Sequence, residues 1–177
     1  MLIIVAGRTA SGKSTIAKAA AELAGGRHDS FGGFVRERAT AEGLDAADRR
    51  TLQDLGQSLV EAGPDDFVDQ FLTYADYTPG SVLIVDGLRH ASVLHALRRS
   101  AEKQGDGVRL VYVDVDEQTR LQRLRGRGLD DAAIQSVEVH PSERDVLQRL
   151  RGEADLVIDG AGSLAEVAAL VRRELAG

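Results

Sequence analysis

Cysteine is absent from the 177-residue sequence, which excludes disulfides, thiolate metal ligands and a cysteine nucleophile and fits a reducing compartment. With no covalent staple, stability must come from packing. Long hydrophobic runs are absent too. The first, Leu2 to Ala6, is cut off by Gly7 and Arg8, far short of a signal-peptide core or a membrane span. The expectation is a cytoplasmic chain with no membrane partner. Nor is there an excess of positive charge: 22 Lys and Arg against 28 Asp and Glu give a net charge of -6. No overall positive field then concentrates polyanions, and nucleic acid is disfavoured as a partner. At about 150 residues per domain, the length points to one compact domain, residues 1–177, with chain enough for a sizeable core.

What the sequence does contain is alternation. Short aliphatic runs alternate with longer stretches of helical period, the pattern of a parallel sheet with crossover helices, so the fold class is α/β. Leu2 to Ala6 is apolar at every position, as a central strand buried on both faces must be. Val82–Val85, Arg109–Val115 and Asp155–Ile158 read as further strands, with a short one around His28–Phe31. Ser14–Ala24, His90–Gln104, Glu117–Arg125 and Ser163–Leu175 carry apolar stripes beside charged residues, as outer-layer helices do. From Gly43 to Tyr77 the helical period is interrupted at Gly63-Pro64, which predicts a small two-helix insertion over residues 43–77.

Gly7-Arg8-Thr9-Ala10-Ser11-Gly12-Lys13-Ser14 fits the spacing G-x-x-x-x-G-K-[ST] and lies between the first strand and the first helix, the context in which that spacing cradles phosphates. Glycine lets the chain curl until successive N–H groups point inward at phosphate oxygens, and the helix behind adds its positive N-terminal end. Gly7, Ala10, Ser11, Gly12, Lys13, Ser14 and Thr15 are therefore the candidate triphosphate-binding residues. Lys13 brings a full charge to the β- and γ-phosphates, and the Ser14 hydroxyl is a ligand for Mg²⁺. Asp86 ends an aliphatic strand and meets the same Mg²⁺ shell if that strand lies beside the first; capping of the next helix is the alternative role. The expected cofactors are ATP and Mg²⁺, on a three-layer P-loop NTPase fold with a central parallel sheet.

Only three of the 22 basic residues are lysines, so nearly every other cation is a planar, permanently charged fork suited to bidentate phosphate contacts. Three segments then stand out in order: Ser30-Phe31-Gly32-Gly33-Phe34-Val35-Arg36, Asp86-Gly87-Leu88-Arg89, and Arg123-Leu124-Arg125-Gly126-Arg127 followed by Asp130-Asp131. Together with the phosphate loop they resemble the adenylate-kinase-like family of nucleoside and nucleotide kinases. The resemblance implies that Arg36 and Arg89 hold an acceptor's phosphate, and that Arg123 and Arg127 close over the transferring group. Lys13, Arg89, Arg123 and Arg127 are then catalytic cations, and Arg36, Gln53, Asp86 and Arg89 acceptor contacts. Gln53 lies where such kinases recognise the acceptor's base or sugar. A long lid domain is missing, so residues 123–141 form a short one, with Arg123 and Arg127 on one face if helical. Gly33 stands where the family usually has an acidic residue, which counts against adenosine monophosphate as the acceptor.

Val139-His140-Pro141-Ser142-Glu143-Arg144 reads as a helix start. It is also similar to a segment of phage deoxynucleotide kinases and of kinases of the dephospho-coenzyme-A type. Asp159-Gly160-Ala161-Gly162-Ser163 is implied to lie beside the donor's adenine. The resulting expectation is a Mg²⁺-ATP phosphotransferase acting on a small-molecule acceptor, foremost a nucleoside monophosphate. Two other readings stand beside it: an NTP-dependent switch without an acceptor, and a kinase of another hydroxyl, such as a dephospho-coenzyme-A-like molecule, a nucleoside or a polynucleotide 5′ end. The sequence has no asparagine, and so no Asn-Lys-x-Asp motif of the kind by which GTPase switches read guanine.

Overall fold

The computed structural model describes residues 1–139 and 146–160, together with positions 169 and 173. Its strands are β1 (Leu2–Ala6), β2 (Arg27–Ser30), β3 (Leu83–Leu88), β4 (Val108–Asp114) and β5 (Leu156–Asp159). All pairings are parallel, in the order β2-β3-β1-β4-β5. The helices are α1 (Lys13–Ala24), α2 (Phe31–Ala41), α3 (Arg49–Ala62), α4 (Pro64–Tyr74), α5 (Ala91–Lys103), α6 (Glu117–Gly126) and α7 (Asp131–Val139). No described helix is long and apolar enough to cross a membrane.

β1 is central, and its unbroken apolar run has a direct cause. Leu2, Ile4 and Ala6 pack into one cluster with Leu94 and Leu97 of α5, while Ile3 and Val5 pack into another with Ile16, Ala17 and Ala20 of α1. Each fully buried aliphatic side chain is worth about 1.5–3 kcal/mol. With both faces covered there is no solvent side for a polar residue to occupy. α1 stops at Gly25-Gly26 as expected. Gly25 takes the left-handed conformation at φ 59°, and the Gly26 N–H closes onto the Ala21 carbonyl at 3.0 Å.

α2 is the element that periodicity did not announce, because Gly32 and Gly33 in its first turn are poor helix formers. Ser30 overrides them. Its hydroxyl accepts the Gly33 N–H at 3.0 Å, ending β2 one residue short of Phe31 and starting the helix. Burial of Phe31, Phe34 and Val35 completes the case. The expected insertion is present as α3 and α4, divided at Gly63 with Pro64 opening the second helix. The segment His140–Arg144 and, apart from positions 169 and 173, the expected helix over Ser163–Leu175 lie outside the described residues.

All four phenylalanines of the chain gather between α2 and α4. Phe31 lies 4.2 Å from Phe71 and 5.6 Å from Phe67, centroid to centroid; Phe34 meets Phe67 edge-on at 5.4 Å and Tyr74 at 5.5 Å. Such pairs add roughly 0.5–1.5 kcal/mol beyond area burial. Phe71→Ala is expected to cost about 3–5 kcal/mol, because the ring is wholly buried at the centre of this cluster. A denaturant titration with an unchanged midpoint would contradict the packing described.

Candidate active site

The sheet order turns back at β1, whose neighbours β3 and β4 lead to opposite edges, so a crevice opens at the carboxyl ends of these strands. The Gly7–Ser14 loop fills it. At Gly7 a Cβ would stand 2.5 Å from the Val113 carbonyl, so only glycine fits the turn off β1. Ala10 at φ 70° and Gly12 at φ 99° are both left-handed, the kind of backbone that turns N–H groups inward into an anion-binding nest. Gly12 is also the N-cap of α1 and supplies no side chain to occupy the first-turn N–H groups. Lys13 folds back over the loop, its Nζ donating to the Arg8 carbonyl at 3.3 Å.

β3 does lie beside β1, and the register pairs Asp86 with Val5. That brings the Asp86 carboxylate to the Ser14 hydroxyl and near the Lys13 ammonium. Burial by itself would raise its pKa. The contacts with His28 and Ser14 and the positive charges nearby outweigh burial and hold the carboxyl below its ordinary range, so it is ionised at neutral pH. His28 of β2 stands with Nε2 3.6 Å from Asp86 Oδ1. Sequence reasoning passed over His28, since only the pairing of β2 with β3 brings it there. Asp29, its neighbour on β2, turns elsewhere: its carboxylate accepts the Ser30 N–H at 2.8 Å and contacts the Tyr74 hydroxyl.

A cavity of about 380 Å³ opens beside the loop. Lys13, Ser14 and Asp86 line it, and so do Arg36, Arg49, Arg89 and Arg127, each from a different part of the chain. Arg49 and Arg89 both donate to the Thr9 hydroxyl at 3.4 Å. Arg49, which lies in the helical segment 43–77, reaches the phosphate loop. Its position at the start of α3 is set by Asp48, which caps the helix by accepting the Thr51 N–H at 2.8 Å. Gln53 lines the same cavity one turn further along.

Arg123 behaves differently from the expectation. Its guanidinium donates to the carbonyls of Ala10 at 3.3 Å, Ser11 at 3.1 Å and Gly160 at 3.2 Å, bracing the loop against the end of β5. Arg127 follows the last residue of α6 and faces the cavity. The two therefore do not share a helical face, because α6 ends between them. Arg120 is completely buried: Glu117 holds it at 2.7 Å and extends to Arg8 of the loop, also at 2.7 Å. Arg98, Arg99 and Arg125 form outer ion pairs with Glu153, Asp65 and Asp131, contacts of small energetic value.

Among the described residues no group of three His or acidic side chains could hold a metal ion unaided. The juxtaposed Ser14 hydroxyl and ionised Asp86 do suit Mg²⁺, which keeps several waters and is completed by substrate phosphates rather than by a full protein cage.

The family model described as "AAA domain" matches residues 3–163, and the chain belongs to that family. A comparison with curated proteins gives no match. Among solved structures, the APS kinase CysC of Mycobacterium tuberculosis, in complex with AMPPNP and APS, is 16% identical with a TM-score of 0.64, covering 99% of this chain and 97% of its own. A gluconokinase from Sinorhizobium meliloti 1021 is 21% identical at a TM-score of 0.59, covering 98% and 90%. Shikimate kinase from Aquifex aeolicus vf5 is 18% identical at 0.54, covering 100% and 97%. The chain thus has the P-loop kinase fold.

The loop's contact with β5 supplies a test. A Cβ at Gly160 would stand 2.2 Å from the Ser11 carbonyl and 3.0 Å from that of Asp114. Gly160→Ala is expected to displace the phosphate loop and cost about 1–3 kcal/mol; an unaltered thermal midpoint would show the approach to be looser than described.

Proposed function

We propose that this AAA-domain protein is a Mg²⁺-ATP-dependent phosphotransferase that moves the γ-phosphoryl group to a small anionic acceptor of nucleotide type. The observation that carries the reading is the convergence of Arg36, Arg49, Arg89 and Arg127 with Lys13, Ser14 and Asp86 on one cavity. Phosphoryl transfer spreads charge over three equatorial oxygens and asks the protein for positioning and cations. A switch that only hydrolyses its nucleotide has no use for four guanidinium groups gathered on a cavity of this size. The kinase neighbours, whose names indicate small acceptors, support the same class.

In this reading the loop N–H groups and Lys13 hold the β- and γ-phosphates, while Ser14 and Asp86 would hold Mg²⁺. The ion, when bound, screens the phosphate charge. Arg49 and Arg89, already gathered on Thr9, flank the transferring group. Arg36 binds the acceptor's anionic group from α2, and Arg127 closes from the far side. Arg123 keeps the loop and the 159–160 turn in register. An acceptor phosphate oxygen attacks phosphorus as the bond to the β,γ-bridging oxygen breaks, and ADP leaves. An ionised phosphate needs no general base. Residues 43–77 then serve as the acceptor-binding insertion and residues 123–141 as a short lid.

Lys13→Ala is expected to lower acceptor-dependent ADP release by at least about 100-fold with the fold retained. Full activity in that variant would remove the loop from the mechanism. Arg127→Ala should lower kcat by more than it raises the acceptor's KM, since its contact strengthens as charge develops; an effect confined to KM would assign it to ground-state binding instead. Release of ADP that no acceptor stimulates would favour the switch.

A further inference from the structure

Thr9 occupies one of the free positions of the phosphate-loop spacing, so the motif alone gives it no role. The structure does. Its hydroxyl accepts from Nη2 of Arg49 and from Nη2 of Arg89, each at 3.4 Å. A threonine oxygen has two lone pairs, and these two contacts engage both. Two like-charged forks from separate elements are thereby held within two hydrogen-bond lengths of each other, at the edge of the cavity that all three residues line.

The parts around this contact are already fixed. Arg49 is the first residue of α3, behind the Asp48 cap, and Arg89 follows the last residue of β3. Their backbones are anchored, which leaves the long side chains to be placed. Thr9 itself is only 8% exposed, and its branched Cβ restricts the torsion that aims the hydroxyl. A guanidinium pair drawn together needs a shared acceptor, because the charges repel. A carboxylate there would grip both forks and compete with a phosphate for them. A neutral hydroxyl orients them and gives way, since phosphate oxygens are charged and make the shorter, stronger bonds. Both contacts are longer than the usual N–H···O distance, as suits bonds that are surrendered when a substrate enters.

We infer that Thr9 is a positioning residue for phosphoryl transfer: its hydroxyl sets the spacing and direction of Arg49 and Arg89 in the empty site, then passes both to oxygens of the transferring group. This rests on the phosphotransferase reading above and deepens it. Thr9 makes no bond to the reacting atoms and acts through the two arginines.

The test compares the unaltered protein with Thr9→Val, which keeps the side-chain shape and removes the hydroxyl, and with Thr9→Ser, which keeps the hydroxyl. Acceptor-dependent ADP release is followed over the common nucleoside 5′-monophosphates. Titration calorimetry in the presence of Mg²⁺ measures binding of ADP alone and of ADP with aluminium fluoride, a stand-in for the transferring group. Thr9→Val is expected to lower kcat by about 10-fold and to weaken the fluoride complex by a similar factor, with binding of ADP alone changed by less than about 2-fold. Thr9→Ser should recover most of the loss. In an Arg49→Lys/Arg89→Lys background, where neither fork remains to be placed, Thr9→Val is expected to have no further effect. A loss that persists in that background, or one shared by ADP alone, would make Thr9 part of the loop's own shape and overturn the inference. An unchanged kcat and fluoride complex in Thr9→Val would overturn it too, with the phosphotransferase left standing. Should the valine variant not fold, Thr9→Ala takes its place with the same expectations. ADP release that no acceptor stimulates would overturn the phosphotransferase, and the calorimetry would still decide the role of Thr9.

Discussion

The side-by-side pairing of β1 with β3 governs the geometry of the site. It sets Asp86 opposite Val5, at the level where the chain leaves β1 for the phosphate loop, so a carboxylate meets the first hydroxyl of α1 with no help from flexible side chains. A slip of one residue in that register would turn Asp86 to the other face of the sheet. The apolar residues that bury β1 on both sides are therefore also the ones that aim the acidic group. Core packing and site construction are here the same set of contacts.

Arginine is used in two distinct ways around that frame. Arg36, Arg49, Arg89 and Arg127 face the cavity. Arg120 and Arg123 stand behind it. Arg120, with Glu117, fastens Arg8, and Arg123 draws together the carbonyls of Ala10, Ser11 and Gly160. Carbonyls claimed from outside leave the loop's N–H groups to face inward. A lysine would offer its donors from one mobile point, whereas the planar fork of Arg123 spans three acceptors at once.

Much of this was legible in the sequence because it is local. The loop spacing, the uninterrupted strand of Leu2 to Ala6 and the break at Gly63-Pro64 depend on near neighbours, and the fold follows them closely. α2 was obscured because two glycines argue against a helix and only the Ser30 cap and the buried phenylalanines reverse that preference. The contacts of Arg49 and Arg123 were not legible for a different reason. Their roles depend on where α3 and α6 end relative to the loop, a tertiary fact that spacing along the chain does not encode. His28 is invisible for the same reason, being brought to Asp86 by strand pairing alone.

The phenylalanine cluster has a mechanical consequence. Interlocked rings make α2 and α4 a single stiff paddle, since neither helix can slide without unstacking Phe31 from Phe67 and parting it from Phe71. Any motion that admits or releases a molecule on that side must then be a swing of the whole paddle. Rotation would be absorbed in part between α4 and β3, where Asp76 at φ 47° and Gly80 at φ 84° already hold conformations open to few residues.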